Sequence, residues 1–251
     1  MDYLIFFIFG IVIGSFLNVC IYRIPLGESI VAPPSHCTQC GTRLKPLDLI
    51  PIFSWLFLKG RCRYCGTSVS PQYVLVELVT GGIFVFAYNH LGFSPIVLVF
   101  IFLACILLVC ALIDMKHYII PDILNIVGIM GFLIFNLTFN FIPWQDALLG
   151  GILGASPLFL IVLFTKGKGM GMGDVKLMGM VGLYMGWKMA LLTVFLSFVL
   201  GGIIGVVLLL AKIKNRHDPI PFGPWISLAA FLVMFYGYAM LYWYLDLIGI
   251  N

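Results

Sequence analysis

The sequence predicts an all-α polytopic membrane protein of about eight transmembrane helices, with a small zinc-ribbon-like insertion after the first. Three observations carry the prediction. The chain is 62% hydrophobic and only 10% charged, against roughly 25% charged residues in an ordinary soluble domain. Its mean hydropathy is +1.13, and apolar runs of the ~20 residues that a membrane-spanning helix needs recur along most of its length. These runs are continuous, whereas the strands of a transmembrane β-barrel alternate apolar and polar residues.

The first span covers about residues 3–22. It has no basic start, and Asn18-Val19-Cys20-Ile21-Tyr22-Arg23 is no small-residue cleavage site, so it reads as a retained helix rather than a signal peptide. A polar stretch over 23–71 is long enough for a small extramembrane domain. Spans follow over about 72–90 and 95–113. Pro121 suits the first turn of the next helix, which runs to about 142, and another covers about 144–164. A loop rich in Lys, Gly and Met separates it from a short helix over about 174–187. A seventh helix continues to about 211, and the last ends near 246. The expected organisation is therefore a helix over 1–22, a four-cysteine domain over 23–71, and a seven-helix membrane domain over 72–251. The glycine pairs Gly81-Gly82, Gly150-Gly151 and Gly201-Gly202 suit close helix packing.

With eight spans the loops alternate sides. Arg23, Arg43, Lys45, Lys59, Arg61, Arg63, Lys116, Lys166, Lys168, Lys176, Lys212, Lys214 and Arg216 then share one side, and of the 14 basic residues only Lys188 falls on the other. Basic loops stay in the cytoplasm, which puts both termini outside. The asymmetry played no part in choosing the spans, so it tests them.

Cys37-Thr38-Gln39-Cys40 and Cys62-Arg63-Tyr64-Cys65 are two C-x-x-C knuckles with 21 residues between them, each followed by a glycine, Gly41 or Gly66. Glycine helps the chain turn so that backbone amides face the sulfurs. Four thiolates at this spacing suit a closed tetrahedral zinc site, and a reducing cytoplasm disfavours disulfides. A closed site has no position for water, so the expected zinc is structural. Cys20, Cys105 and Cys110 fall in apolar helices and read as packing residues.

Among the 10 carboxylates, Asp114 and Asp174 stand out. A carboxylate at a membrane boundary is costly to place and marks a functional site by default. Both fall on the cytoplasmic side. Asp174 follows Gly171-Met172-Gly173, whose glycines permit close approach of a substrate strand. Asp114 lies in a segment ended by Ile120-Pro121, where proline restricts the preceding residue. The alternative is an interfacial aspartate paired with Lys116 or Lys176. Two carboxyls about one water apart share a proton; the ionised member activates water and the protonated one donates to the developing oxyanion. Asp122, at a helix start, reads as a capping residue. Glu77 lies about a turn and a half into its helix, where it can pair, bind substrate or serve a second activity.

At these residues the chain resembles the type IV prepilin peptidases, aspartic leader peptidases of the Gly-x-Gly-Asp class. Gly14-Ser15-Phe16-Leu17-Asn18-Val19 and Tyr22-Arg23-Ile24-Pro25 look like the family's N-terminal motif. The knuckles, joined through Ile50-Pro51-Ile52-Phe53-Ser54-Trp55, look like its cytoplasmic domain, and Gln72-Tyr73 through Gly81 like its second helix. Ile113-Asp114 through Asp122 and Gly171 through Leu177 resemble the two catalytic segments, and Pro221-Phe222-Gly223-Pro224 the last loop.

The resemblance implies a cytoplasm-facing endopeptidase of the bacterial inner membrane. It would cleave the basic leader of prepilins and pseudopilins, typically after a glycine, with Asp114 and Asp174 catalytic. It makes Cys37, Cys40, Cys62 and Cys65 the zinc ligands. It also implies N-methylation of the new amino terminus from S-adenosylmethionine, with Glu77 and Asn18 as candidate contributors; no Gly-rich cofactor fingerprint supports this in the sequence itself. The expected partners are the pilin substrate and the bilayer, with no nucleic acid. Lys116 stands where relatives are often acidic. Residue types alone leave a second reading, a transporter that uses the two aspartates as a proton or cation relay.

Overall fold

The computed structural model describes residues 1–215, 218–247 and 249; Arg216, counted above among the cytoplasmic charges, lies outside them. Its helices are α1 (Asp2–Arg23), α2 (Phe53–Phe57), α3 (Gln72–Leu91), α4 (Pro95–His117), α5 (Asp122–Phe139), α6 (Trp144–Thr165), α7 (Met172–Leu210) and α8 (Gly223–Leu247), with short 3-10 turns at Ile24–Leu26 and Pro46–Leu49. All but α2 are long and apolar enough to cross a membrane. Among the described residues the only extended pairings outside helices are two isolated bridges, His36 with Arg43 and Arg61 with Ser68. The chain divides into two compact units, Met1–Val97 and Leu98–Asn251.

In the first unit α1 and α3 pack antiparallel along a seam of small residues. A Cβ at Gly10 would lie 2.7 Å from Gly81 Cα, and one at Gly14 would lie 2.8 Å from Glu77 Cα. One turn further, Asn18 Nδ2 donates to the Tyr73 carbonyl at 2.9 Å. Close backbone approach of this kind maximises van der Waals contact between apolar helices. The insertion between them is held by few but specific contacts. Trp55 Nε1 donates to the Val69 carbonyl at 3.1 Å, and its ring lies where a Cβ on Gly60 would otherwise stand. Asp48 accepts the Lys45 amide at 3.0 Å and so caps the turn Pro46–Leu49, and it also accepts from Arg63 at 2.6 Å and from the Tyr64 hydroxyl at 2.8 Å.

In the second unit α7 decides the topology. Its 39 residues are one hydrogen-bonded run broken at Gly186, whose φ of 73° and ψ of 171° are non-helical. A Cβ at Gly154 of α6 would touch both the Met178 carbonyl at 3.2 Å and the Ala190 Cβ at 3.4 Å. Those two atoms are therefore within about 7 Å of each other, whereas twelve residues of straight helix would separate their backbones by ~18 Å. The Thr193 hydroxyl also reaches Met185 Sδ at 3.4 Å. The chain reverses at Gly186, one residue before the boundary that the sequence suggested near 187. Among the described residues the seven long helical runs thus form eight helical segments.

The reversal is possible because glycine alone tolerates this region of φ/ψ space. Around it the backbones touch: a Cβ at Gly150 would collide with the Gly182 carbonyl and lie 2.8 Å from Gly186 Cα. The first arm of α7 runs antiparallel to α6, with residue 182 opposite 150 and 178 opposite 154. Asp174 then stands opposite residue 158, and α6 continues to Thr165, about 10 Å further at 1.5 Å per residue. Asp174 is recessed below the end of its neighbour. Helix α4 is buried along most of its length. α5 runs antiparallel to it, because Cβ atoms at Gly128 and Gly131 would meet Ile106 and Phe102 respectively. α8 is antiparallel to it as well: Gly223 bonds to Asp114, and Phe235 packs on Phe100 with ring centroids 5.6 Å apart.

Candidate active site

Asp114 sits in the last turn of α4 and Asp174 in the first turn of α7; they are 5% and 8% exposed. Each carboxylate faces the start of a helix. Asp174 Oδ2 accepts the Gly171 amide at 3.2 Å, capping its own helix from within the first turn. Asp114 Oδ2 accepts the Gly223 amide at 2.9 Å and so caps α8 from another element. The first amides of a helix have no partner inside it, and the helix dipole favours negative charge there. Both carboxylates therefore gain a backbone donor at a site where water is scarce.

Ile120 ties the two segments together. Its Cβ lies 3.1 Å from where a Cβ on Gly173 would stand, and its Cδ1 lies 3.1 Å from the corresponding point on Gly223. One side chain thus touches the residue before Asp174 and the residue that binds Asp114, and the two carboxyls lie within electrostatic reach of each other. The glycines before Asp174 also have a use within the fold. Gly173 makes room for Ile120, and Gly171 supplies an amide to Asp174.

Lys176, two residues from Asp174, is engaged elsewhere. It pairs with both oxygens of Asp122 at 2.7 and 2.8 Å. Asp122, read as a cap, thus spends its carboxylate on an ion pair between α5 and α7. Among the described residues neither Asp114 nor Asp174 has an ion-pair partner, which disfavours the interfacial-pair alternative. Sequence reasoning named the two aspartates but missed Ile120 and Gly223 as site residues. The signal for both lay inside segments already singled out, Ile120-Pro121 and Pro221-Phe222-Gly223-Pro224.

The four cysteines of the insertion converge, with all four Sγ atoms within 4.8 Å of one another. The Cys37 and Cys65 sulfurs are 3.8 Å apart, close to the edge of a tetrahedron built on zinc–sulfur bonds of about 2.3 Å. The two knuckles are geometric copies. Cys37 and Cys62 take the carbonyls of Thr42 and Thr67 through their amides, and their own carbonyls accept from Gly41 and Gly66. The amides of Cys40 and Gln39 face the Cys37 sulfur, as expected. The hydroxyl and amide of Thr67 hold the Cys65 thiol down at about 6, and Thr42 lowers Cys40 in the same way. Donors aimed at sulfur favour the thiolate, the form that binds metal. Cys20, Cys105 and Cys110 are buried, as packing residues should be.

Glu77 and Asn18 lie one turn apart on the α1–α3 seam and are 6% and 5% exposed. Glu77 Oε2 accepts the Ile52 amide at 2.7 Å, and Ser15 bonds to the same carboxylate. Ile52 has φ 63° and ψ −55°, and the Phe53 amide bonds to the Pro51 carbonyl at 2.6 Å. This is a γ-turn of the rare, strained kind. Strain at a branched residue persists only where the surroundings hold it, and the Glu77 carboxylate supplies that hold.

Two family models match the chain: the bacterial peptidase A24 N-terminal domain over residues 8–91, and the type IV leader peptidase family over 101–206. A Bacillus subtilis prepilin leader peptidase/N-methyltransferase is 35% identical, the match covering 97% of this chain and 98% of the relative. The chain belongs to the type IV leader peptidase family. Relatives of the same name from Xanthomonas campestris and Aeromonas salmonicida are 34% and 32% identical, covering 96% of this chain and 94% and 93% of their own. No solved structure matches. Within this leader peptidase, Asp114 and Asp174 both fall in the segment matched by the second model, and Cys37, Cys40, Cys62, Cys65, Asn18 and Glu77 in that matched by the first.

Proposed function

We propose that this leader peptidase removes the leader from type IV prepilins or pseudopilins, with Asp114 and Asp174 as the catalytic pair, and then N-methylates the new amino terminus. The observation that carries the reading is a pair of buried carboxylates, free of cationic partners among the described residues, whose neighbours Gly173 and Gly223 both meet Ile120. A carboxylate held by a lysine would be a poor base; one held by a single backbone amide keeps an oxygen for chemistry. One aspartate takes a proton from water as the water oxygen bonds to the scissile carbonyl carbon. The other gives its proton to the carbonyl oxygen, forming a tetrahedral diol. Collapse of the diol breaks the carbon–nitrogen bond, and the returning proton leaves on the new amine. The titration belongs to the pair, so neither residue is assigned as acid or base.

The recess of Asp174 below the end of α6 suits a substrate whose own helix lies in the membrane and whose leader unwinds near the cut. The basic loops support a cytoplasmic site with both termini outside, in a bacterial cytoplasmic membrane. The cysteine geometry fits a structural zinc held by Cys37, Cys40, Cys62 and Cys65; when bound it would supply the staple that a small insertion needs. S-adenosylmethionine would supply a methyl group to the free amine, which loses a proton. Glu77 and Asn18 are proposed contributors there through their place on the α1–α3 seam. The family assignment leaves the transporter reading without support. Incubating purified enzyme with a prepilin, with and without methyl donor, and weighing the product tests both activities; an intact substrate would sink the reading.

A further inference from the structure

We infer that Asn125 and Ser227 form a polar floor under the two aspartates that positions water for hydrolysis, an inference that rests on the peptidase reading of the pair. Asn125 is 4% exposed and Ser227 6%. Neither Asn125 Nδ2, Asn125 Oδ1 nor Ser227 Oγ has a hydrogen-bond partner among the described residues. Buried side-chain polar atoms nearly always have one, so two orphaned groups in one layer call for a physical reason.

Their depth can be read from three registers. Asn125 precedes Gly128 by three residues and so shares its face of α5. A Cβ at Gly128 would lie 3.5 Å from Ile106 Cδ1, and α5 runs antiparallel to α4. Asn125 is therefore level with Val109 and Cys110, one turn inward of Asp114. Along α7 the same face of α5 runs parallel: Asp122 pairs with Lys176, and the Gly128 carbonyl accepts the Tyr184 hydroxyl at 2.7 Å. Asn125 then stands near the level of Met178, one turn inward of Asp174. On α8, Ser227 follows Gly223 by four residues and shares its face. Gly223 bonds to Asp114, so Ser227 too is one turn inward, at the level of Cys110. Two helices that pack against α4 thus bring their unpaired polar side chains to the same depth, one turn inward of the carboxylates.

The chemistry of the layer matches water. The amide offers two donor hydrogens and a carbonyl, and the hydroxyl both donates and accepts. A buried water needs two to four such partners. Hydrolysis inside a helical bundle consumes one water per cut, and apolar walls alone would not hold it in place. The residues act through the water and touch neither substrate nor the reacting carbonyl, so they are positioning residues.

The test uses full-length enzyme with a prepilin substrate and compares Asn125→Leu, Ser227→Ala and the double variant with Asn125→Thr and Ser227→Thr. Leucine nearly matches asparagine in size and removes only the polar atoms. The expected result is a fall in kcat of about ten-fold or more with KM little changed, as befits loss of a group that serves the chemical step. The Tm should stay near the wild-type value, because the substitutions leave the surrounding packing in place, and the threonine variants should recover most of the activity. Wild-type kcat in the double variant would overturn the proposal. So would a loss of activity that tracks a fall in Tm and is not restored by threonine, since that marks packing alone. Asp114→Asn and Asp174→Asn separate the two claims. Normal cleavage by either removes the dyad reading itself. Inactive aspartate variants beside a fully active double variant remove only the floor.

Discussion

The Gly223 amide donates to Asp114 Oδ2 at 2.9 Å across 109 residues of chain. This bond joins the end of α4 to the start of α8 and aims one oxygen of the carboxylate. A methyl group at Gly223 would fall 2.8 Å from that oxygen, so Gly223→Ala must displace the carboxylate. The expected cost is about 10²-fold in cleavage rate, the scale of a misplacement near 1 Å. Steady-state kinetics on the variant check this, with a Tm close to wild type showing that the helix start still forms.

Asp114→Asn and Asp174→Asn each keep the size of the side chain and a carbonyl oxygen to accept the amide of Gly223 or Gly171. Both variants should therefore fold and insert normally while losing prepilin cleavage. Substrate processing followed by gel mobility, beside thermal unfolding of the same preparations, separates loss of chemistry from loss of structure. Substantial cleavage by either variant would exclude the shared-proton mechanism.

Gly186→Ala acts on stability. The residue has φ 73° and ψ 171°, a region open in practice only to glycine, and an added Cβ would stand 3.1 Å from Ile142 Cδ1. The backbone strain alone is worth about 1–3 kcal/mol. A lowered Tm in detergent, or loss of folded protein, is the expected result; an unchanged Tm would mean that the chain does not reverse there.

Metal analysis of purified enzyme should find about one zinc per chain. Cys40→Ser should lower that content, and chelation should make the segment 23–71 sensitive to protease, because metal binding and folding are coupled in small four-cysteine modules. Folded protein with free thiols and no metal would contradict this.

Glu77→Ala removes the acceptor of the strained Ile52 amide and one proposed contributor to methyl transfer. Cleavage should persist, since Asp114 and Asp174 belong to the other compact unit, whereas the mass of the processed pilin should lack the methyl increment. A fully methylated product would remove Glu77 from that activity.

Much of this was legible in the sequence because a bilayer imposes simple rules. Apolar runs located the helices, and the C-x-x-C spacing singled out four cysteines whose sulfurs do converge. Asp114 and Asp174 stood out as polar residues in apolar surroundings. The partners of the polar groups were not legible. Lys176 sits two residues from Asp174, yet its ammonium pairs with Asp122, fifty-four positions away. Asp48 is held by Arg63 and Tyr64, fifteen and sixteen positions further on. Sequence spacing does not encode which side chain reaches which across an interface.

The sequence by itself determined the material of the molecule: helices of membrane length, a four-cysteine insertion, and two acidic residues at helix ends. Hydrophobicity and local spacing carry that information, and both are properties of a linear string. Only the tertiary structure decided that the two acids come within electrostatic reach of each other. That took the reversal at Gly186, the wedge of Ile120 between Gly173 and Gly223, and the amide that α8 offers to Asp114. Each is a contact between residues far apart in the chain, set by how helices pack and by which backbone amides a buried carboxylate can reach.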